Sequence, residues 1–254
     1  MGIRFLQAPL FPARRAVARL RFVRVHHPRK AETMKKPLVI FGAGDIAELA
    51  HFYFTHDSDR EVAAFTVDEA WIDKPVFCGR PVVAFESLAS TYPADKYDIF
   101  IALSYSKLNA IRKEKYLAAK AMGYGIASYV SSRAYVPDPN RIGENCFILE
   151  DNTIQPFATI GNNVTLWSGN HIGHHSQIGD HTFVASHIVV SGGVKIGEQC
   201  FIGVNATLRD HIQIGDRCVV GAGAILLANA ESEGVYIGQA TERSRVPSTR
   251  LRGI

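Results

Sequence analysis

Six of the ten histidines fall between residues 171 and 211, and two of them, His174 and His175, are adjacent. A neutral imidazole takes up a proton near pH 7, so a histidine cluster points to general-base chemistry or to a metal site. No pair in this stretch is five residues apart, and the His171/His175 pair is four apart. A second group of residues suits phosphate chemistry. Gly42-Ala43-Gly44-Asp45-Ile46-Ala47 follows the apolar run at 37–41 and opens a helical stretch, so small residues let a helix N-terminus approach a phosphate. Gly42 and Gly44 are therefore candidate substrate-binding positions. Ala47 stands where a third glycine would complete the nucleotide-binding pattern. Asp68 closes the next apolar run, a place suited to a ribose or base, or simply to a turn.

The histidines must be positioned by a repeat. Every sixth residue from Val130 to Leu226 is aliphatic, seventeen positions in a row. Neither helical nor strand periodicity gives a period of six over that length. Such hexads specify a parallel β-helix, each contributing one short strand and one turn, three to a coil of 18 residues. Residues 18 apart are then neighbours in adjacent coils, about 4.8 Å apart. The second and third residues after each aliphatic position form a corner. His174-His175, Gly192-Gly193 and Asp210-His211 thus stack on one corner. The glycines serve a positive-φ turn or leave room for a ligand beside His174. Cys146, Cys200 and Cys218 fall in an inward slot four residues after an aliphatic position, as buried thiols.

Four segments result. Residues 1–33 read as a basic appendage, either a disordered tail or a stretch upstream of a natural start at Met34. A transit peptide fits less well because the stretch contains no serine. Residues 34–129 alternate strand and helix, with strands at 37–41, 61–69, 81–85 and 97–104 and a helix at 107–122. This implies a Rossmann-like parallel sheet. Residues 130–232 are the β-helix. Residues 233–254 lose the period and should cap its open end.

Composition sets limits. Residues 1–33 hold eight of the 28 Lys/Arg and one of the 24 acids, so the remainder is slightly acidic. That body offers no polyanion-binding surface, and no nucleic-acid partner is expected. The sequence has no run of 18 apolar residues, so no membrane span is expected. Four cysteines without a CxxC pair fit a reducing cytoplasm.

The stretches 172–203 and 209–226, behind a Rossmann-like domain, resemble the hexapeptide-repeat sugar acyltransferases. The sialic acid O-acetyltransferase and bacillosamine N-acetyltransferase group is the part of that family they resemble. The resemblance covers roughly residues 36–235. It implies α/β plus β architecture, with a Rossmann-like nucleotide-sugar domain followed by a left-handed parallel β-helix. The family motif Ile-Gly-His-Asp/Glu-Cys-x-Ile-Gly is filled by residues 172–179, so the resemblance makes His174 the catalytic base. His175 replaces the carboxylate and joins His174 as a catalytic candidate. The partner that orients His174 stays open between Asp210 and an acid of a neighbouring subunit.

The same resemblance implies acetyl-CoA as acyl donor, with no metal. It places the corner of Gly192 and Gly193 near the thioester, with the Gly193 N–H as donor to the tetrahedral oxyanion. Arg209, Arg217, Arg243 and Arg245 are candidate partners of the CoA phosphates, with solvated surface charge the simpler reading. Asn109 and Arg112 match the family's Asn-x-x-Arg and join Gly42, Gly44 and Asp68 as substrate-binding candidates. The acceptor would be a nucleotide-linked sugar or a glycan, for surface polysaccharide or glycan assembly, in a cytoplasmic homotrimer. O-acetylation of a glycan hydroxyl is the alternative to N-acetylation. A non-catalytic scaffold with a nucleotide-sensing domain is an alternative of another class. A γ-class carbonic anhydrase shares the β-helix but needs a His-x-x-x-x-His pair that 171–211 lacks. A solvated turn histidine is the simpler reading of His171, His181, His187 and His211, with His181 and His187 able to face a subunit interface or the cofactor.

Overall fold

The computed structural model describes residues 35–250, and the extension expected over 1–33 lies outside them. The α/β part runs β1 (Leu38–Phe41), α1 (Asp45–His56), β2 (Val62–Val67), β3 (Val76–Phe77), β4 (Arg80–Ala84), α2 (Leu88–Thr91), β5 (Asp98–Ile101), α3 (Ala110–Ala121) and β6 (Gly125–Ile126). The sheet order is β3-β4-β2-β1-β5-β6. All pairs are parallel except the β3–β4 hairpin. The Rossmann-like expectation holds. Strand order diverges between β1 and β5, so a crevice opens at their carboxyl ends. The helix expected from 107 starts at Ala110 instead. Lys107, Leu108 and Asn109 have φ of 49°, 50° and 65°, a left-handed run that no helix can include.

The repeats wind a left-handed β-helix with three parallel faces. Face 1 stacks seven strands from Tyr129–Val130 to Val235–Tyr236. Face 2 stacks five, from Thr153–Ile154 to Ile225–Leu226. Face 3 stacks four, from Thr159–Ile160 to Gln213–Ile214. Every marked aliphatic residue from Ile148 to Leu226 is buried inside the prism, as are Cys146, Cys200 and Cys218. Burial pushes the Cys146 and Cys200 thiols up to about 12, so they are inert core groups. The last coil runs past the expected boundary at 232 and is two residues shorter. Val219 pairs with Val235 and Ile214 with Ala230, each 16 residues on. The segment expected to lose the repeat at 233 thus begins inside a contracted coil.

Third-position corner residues adopt left-handed backbone, with φ of 53–68° at Asn145, Asp151, Phe157, Asn163, His175, His181, His187, Asn205 and His211. Asn and His enter this region more readily than most residues, which explains their recurrence there.

The α/β part docks on face 1. Phe100 meets Phe147 at 5.5 Å, and Tyr105 meets Phe183 at 4.9 Å and Phe201 at 4.8 Å. A polar ladder extends the junction along the corner between faces 3 and 1. Asn145 accepts from the Ile101 N–H and donates to the Ile101 carbonyl, which fixes its amide. Its amide also donates to Asn163, whose own amide faces His181 Nδ1 at 3.0 Å. His181 must therefore accept there and stay neutral. Burial holds its pKa down at about 4. No helix among the described residues is long and apolar enough to cross a membrane.

Candidate active site

His174 and His175 stand exposed on the corner between faces 2 and 3. The His174 N–H donates to Gln155 Oε1 at 2.9 Å, which ties the corner to the coil below. Its carbonyl accepts from the Gly193 N–H at 2.8 Å, which ties it to the coil above. The His174 ring lies over Gly192. A Cβ at 192 would sit 2.6 Å from His174 Cε1 and 2.7 Å from Nε2. Gly192 is not in the positive-φ region, so its glycine is required by space beside that imidazole. Gly193 differs, with φ of +71° and the His211 ring 2.4 Å from where its Cβ would be. The two readings of the glycine pair thus divide between its two members: Gly193 serves the turn, and Gly192 leaves the His174 edge bare.

Two assignments change. Gly193 cannot donate to an oxyanion, because its N–H is engaged by the His174 carbonyl. The Gly192 N–H makes no hydrogen bond among the described residues. Asp210 makes no hydrogen bond to either imidazole. The Nδ1 of His174 instead meets His175 Nδ1 at 3.1 Å. Arg209 is exposed near the same corner, whereas Arg217 sits on another corner, paired with Glu233 at 2.7 Å. Arg243 and Arg245 lie exposed in the tail. His187 is exposed on the corner between faces 1 and 2, over Gly169.

A crevice opens at the carboxyl ends of β1 and β5. Gly44 caps α1 without a side-chain bond, and no atom lies within 4 Å of a Cβ placed there. A cavity of roughly 500 Å³ opens there, lined by Gly44, Asp45, Ile46, Ala102, Ser104 and Ser106. It adjoins an apolar cleft of roughly 400 Å³ between Tyr105 and the face 1 residues Trp167, Phe183 and Phe201. Gly42 serves packing instead, since a Cβ would meet the Ala102 carbonyl at 2.7 Å. Asp68 directly follows β2, and its carboxylate already receives Lys115 Nζ at 2.8 Å. A larger concavity, roughly 650 Å³, is the open end of the prism and holds no group suited to catalysis.

Asn109 and Arg112 are not on any surface a substrate could reach. Asn109 is fully buried and donates to the Cys200 carbonyl at 3.1 Å. Arg112 is 2% exposed and donates to Asn109 Oδ1, Thr165 Oγ1 and the carbonyls of His181 and Thr182. These residues clamp α3 to face 1. The guanidinium has no carboxylate partner among the described residues, and burial pulls its pKa down to about 10.

Comparison with known proteins agrees with this architecture. The model described as bacterial transferase hexapeptide (six repeats) matches residues 141–174, 157–192 and 175–210. That of the hexapeptide repeat of succinyl-transferase matches 193–228. A search of curated proteins finds no match. Among solved structures, PerB from Caulobacter crescentus, in complex with CoA and GDP-perosamine, is 24% identical, with a TM-score of 0.71 over 80% of this chain and 94% of that one. The acetyltransferase domain of PglB from Neisseria gonorrhoeae, in complex with acetyl coenzyme A, is 20% identical, with 0.69 over 80% and 96%. WeeI from Acinetobacter baumannii is 19% identical, with 0.59 over 80% and 97%. Residues 141–228 match hexapeptide-repeat models, and the two domains together have the fold shared by PerB and the PglB acetyltransferase domain.

Proposed function

We propose that the protein transfers an acetyl group from acetyl-CoA to an amino sugar carried on a nucleotide. The observation that carries this reading is the bare Nε2 edge of His174 over Gly192. An acceptor nitrogen at that edge attacks the thioester carbonyl while His174 takes its proton. The C–N bond forms, the C–S bond breaks with its electron pair going to sulfur, and the proton passes from His174 to the departing thiolate. The Gly192 N–H is the backbone donor available to the tetrahedral oxyanion. Arg209, exposed near the same corner, is the proposed partner of a CoA phosphate. In the α/β part, the α1 N-terminus at Gly44 suits the acceptor's diphosphate. PerB and the PglB domain, solved with CoA or acetyl coenzyme A, support the donor, and GDP-perosamine in PerB supports the acceptor class.

The acceptor crevice adjoins the apolar cleft against face 1, whereas His174 projects from the corner between faces 2 and 3. One chain therefore presents its acceptor crevice away from its own base. A trimer in which the crevice of one subunit meets His174 of the next resolves this. Activity measured with nucleotide-linked 4-amino sugars tests the reading, and loss on His174→Ala is the expected result. Turnover confined to hydroxyl acceptors would redirect it to O-acetylation.

A further inference from the structure

The Nδ1 atoms of His174 and His175 lie 3.1 Å apart, with the rings at 84° and not stacked. Two imidazole nitrogens at that separation repel if both carry protons or both present lone pairs. One must donate and the other accept. His175 is held for this contact, with left-handed backbone at φ 59° and its ring against Phe157 at 4.8 Å. No other side chain, Asp210 included, hydrogen-bonds to either ring among the described residues.

We infer that His175 is the positioning residue of His174, a neutral imidazole whose Nδ1 accepts the His174 Nδ1–H and so leaves Nε2 as the basic atom. This rests on the reading of His174 as the base. The direction of the bond follows from that role. A base acting at Nε2 must carry its own proton on Nδ1, and the hydrogen bond at one ring nitrogen sets the tautomer of the other. His175 then holds its proton on Nε2. When His174 gains the acceptor's proton, its Nδ1–H bond to His175 persists, so the ring keeps its orientation over Gly192. Unlike a carboxylate, this partner orients the base without placing a negative charge beside the imidazolium.

The direct test is nitrogen-15 NMR of the imidazoles in the unliganded full chain, with His174→Ala giving the assignment. Wild-type His174 should carry its neutral-form proton on Nδ1. In His175→Ala it should revert to a mixture led by the Nε2–H form, and in His175→Glu it should return to Nδ1–H. Kinetics with acetyl-CoA and an active 4-amino sugar nucleotide give an independent readout. His175→Ala should lower kcat roughly 10- to 100-fold with the KM for acetyl-CoA nearly unchanged, and His175→Glu should restore it. An Nε2–H proton on wild-type His174, or the same tautomer with and without His175, would overturn the inference. If His174→Ala keeps full turnover while the tautomer is as expected, the base assignment fails and the pairing stands.

Discussion

At the scale of single residues, the account turns on three neighbours at one corner. His174→Ala should reduce turnover roughly 100- to 10,000-fold, the usual contribution of a general base, with thermal stability nearly unchanged because the side chain is exposed. Gly192→Ala and Gly193→Ala should separate activity from stability. The first adopts its backbone without strain but puts a methyl 2.7 Å from His174 Nε2, so activity should fall roughly 10- to 100-fold while the melting temperature holds. The second forces alanine into φ +71° against the His211 ring and should cost about 1 kcal/mol, read as a lower urea midpoint. Stability losses of equal size would contradict the division of roles. His174 is legible in the sequence because the hexad register puts it on a corner and the motif singles it out. The hydrogen bond that removes Gly193 N–H from catalysis is not legible, since it joins adjacent coils through backbone atoms common to every residue type.

At the scale of elements, the central contact is α3 against face 1. Arg112→Met leaves Asn109, Thr165 and two carbonyls without their donor in a buried site. It should destabilise by about 2–4 kcal/mol while the acceptor KM stays unchanged where the protein is folded. A raised KM with unchanged stability would return Arg112 to the substrate. The burial of Asn109 and Arg112 is not legible in the sequence, because buried and ligand-binding polar residues look alike until domain docking is known. The asparagine–histidine ladder makes the same junction sensitive to acid. His181 titrates at about 4 when folded, below the ordinary histidine value of 6.5. Its contribution is therefore fully present above pH 6.5 and lost as pH falls toward 4. Unfolding free energy should be on the order of 2 kcal/mol lower at pH 5 than at pH 8 from this group. His181→Asn, which continues the ladder with the residue type found at 145 and 163, should flatten that slope; an unaltered slope would assign the acid sensitivity elsewhere.

At the scale of the whole molecule, the hexads specify the prism because each inward slot tolerates only an aliphatic or small side chain, a constraint visible over seventeen repeats. The contracted last coil is hidden, since a two-residue deletion looks like loss of the pattern. The placement of crevice and base on opposite sides predicts that mixing His174→Ala subunits with Gly44→Glu subunits restores activity that neither has alone. Refolded mixtures that stay inactive would argue for a site within one chain. The most direct test of the central claim is thiol release from acetyl-CoA against UDP- and dTDP-linked 4-amino sugars and their 4-hydroxyl counterparts, with His174→Ala as control. The account predicts release with an amino sugar that disappears in the variant. Release that survives His174→Ala, or none with any amino sugar, would contradict it.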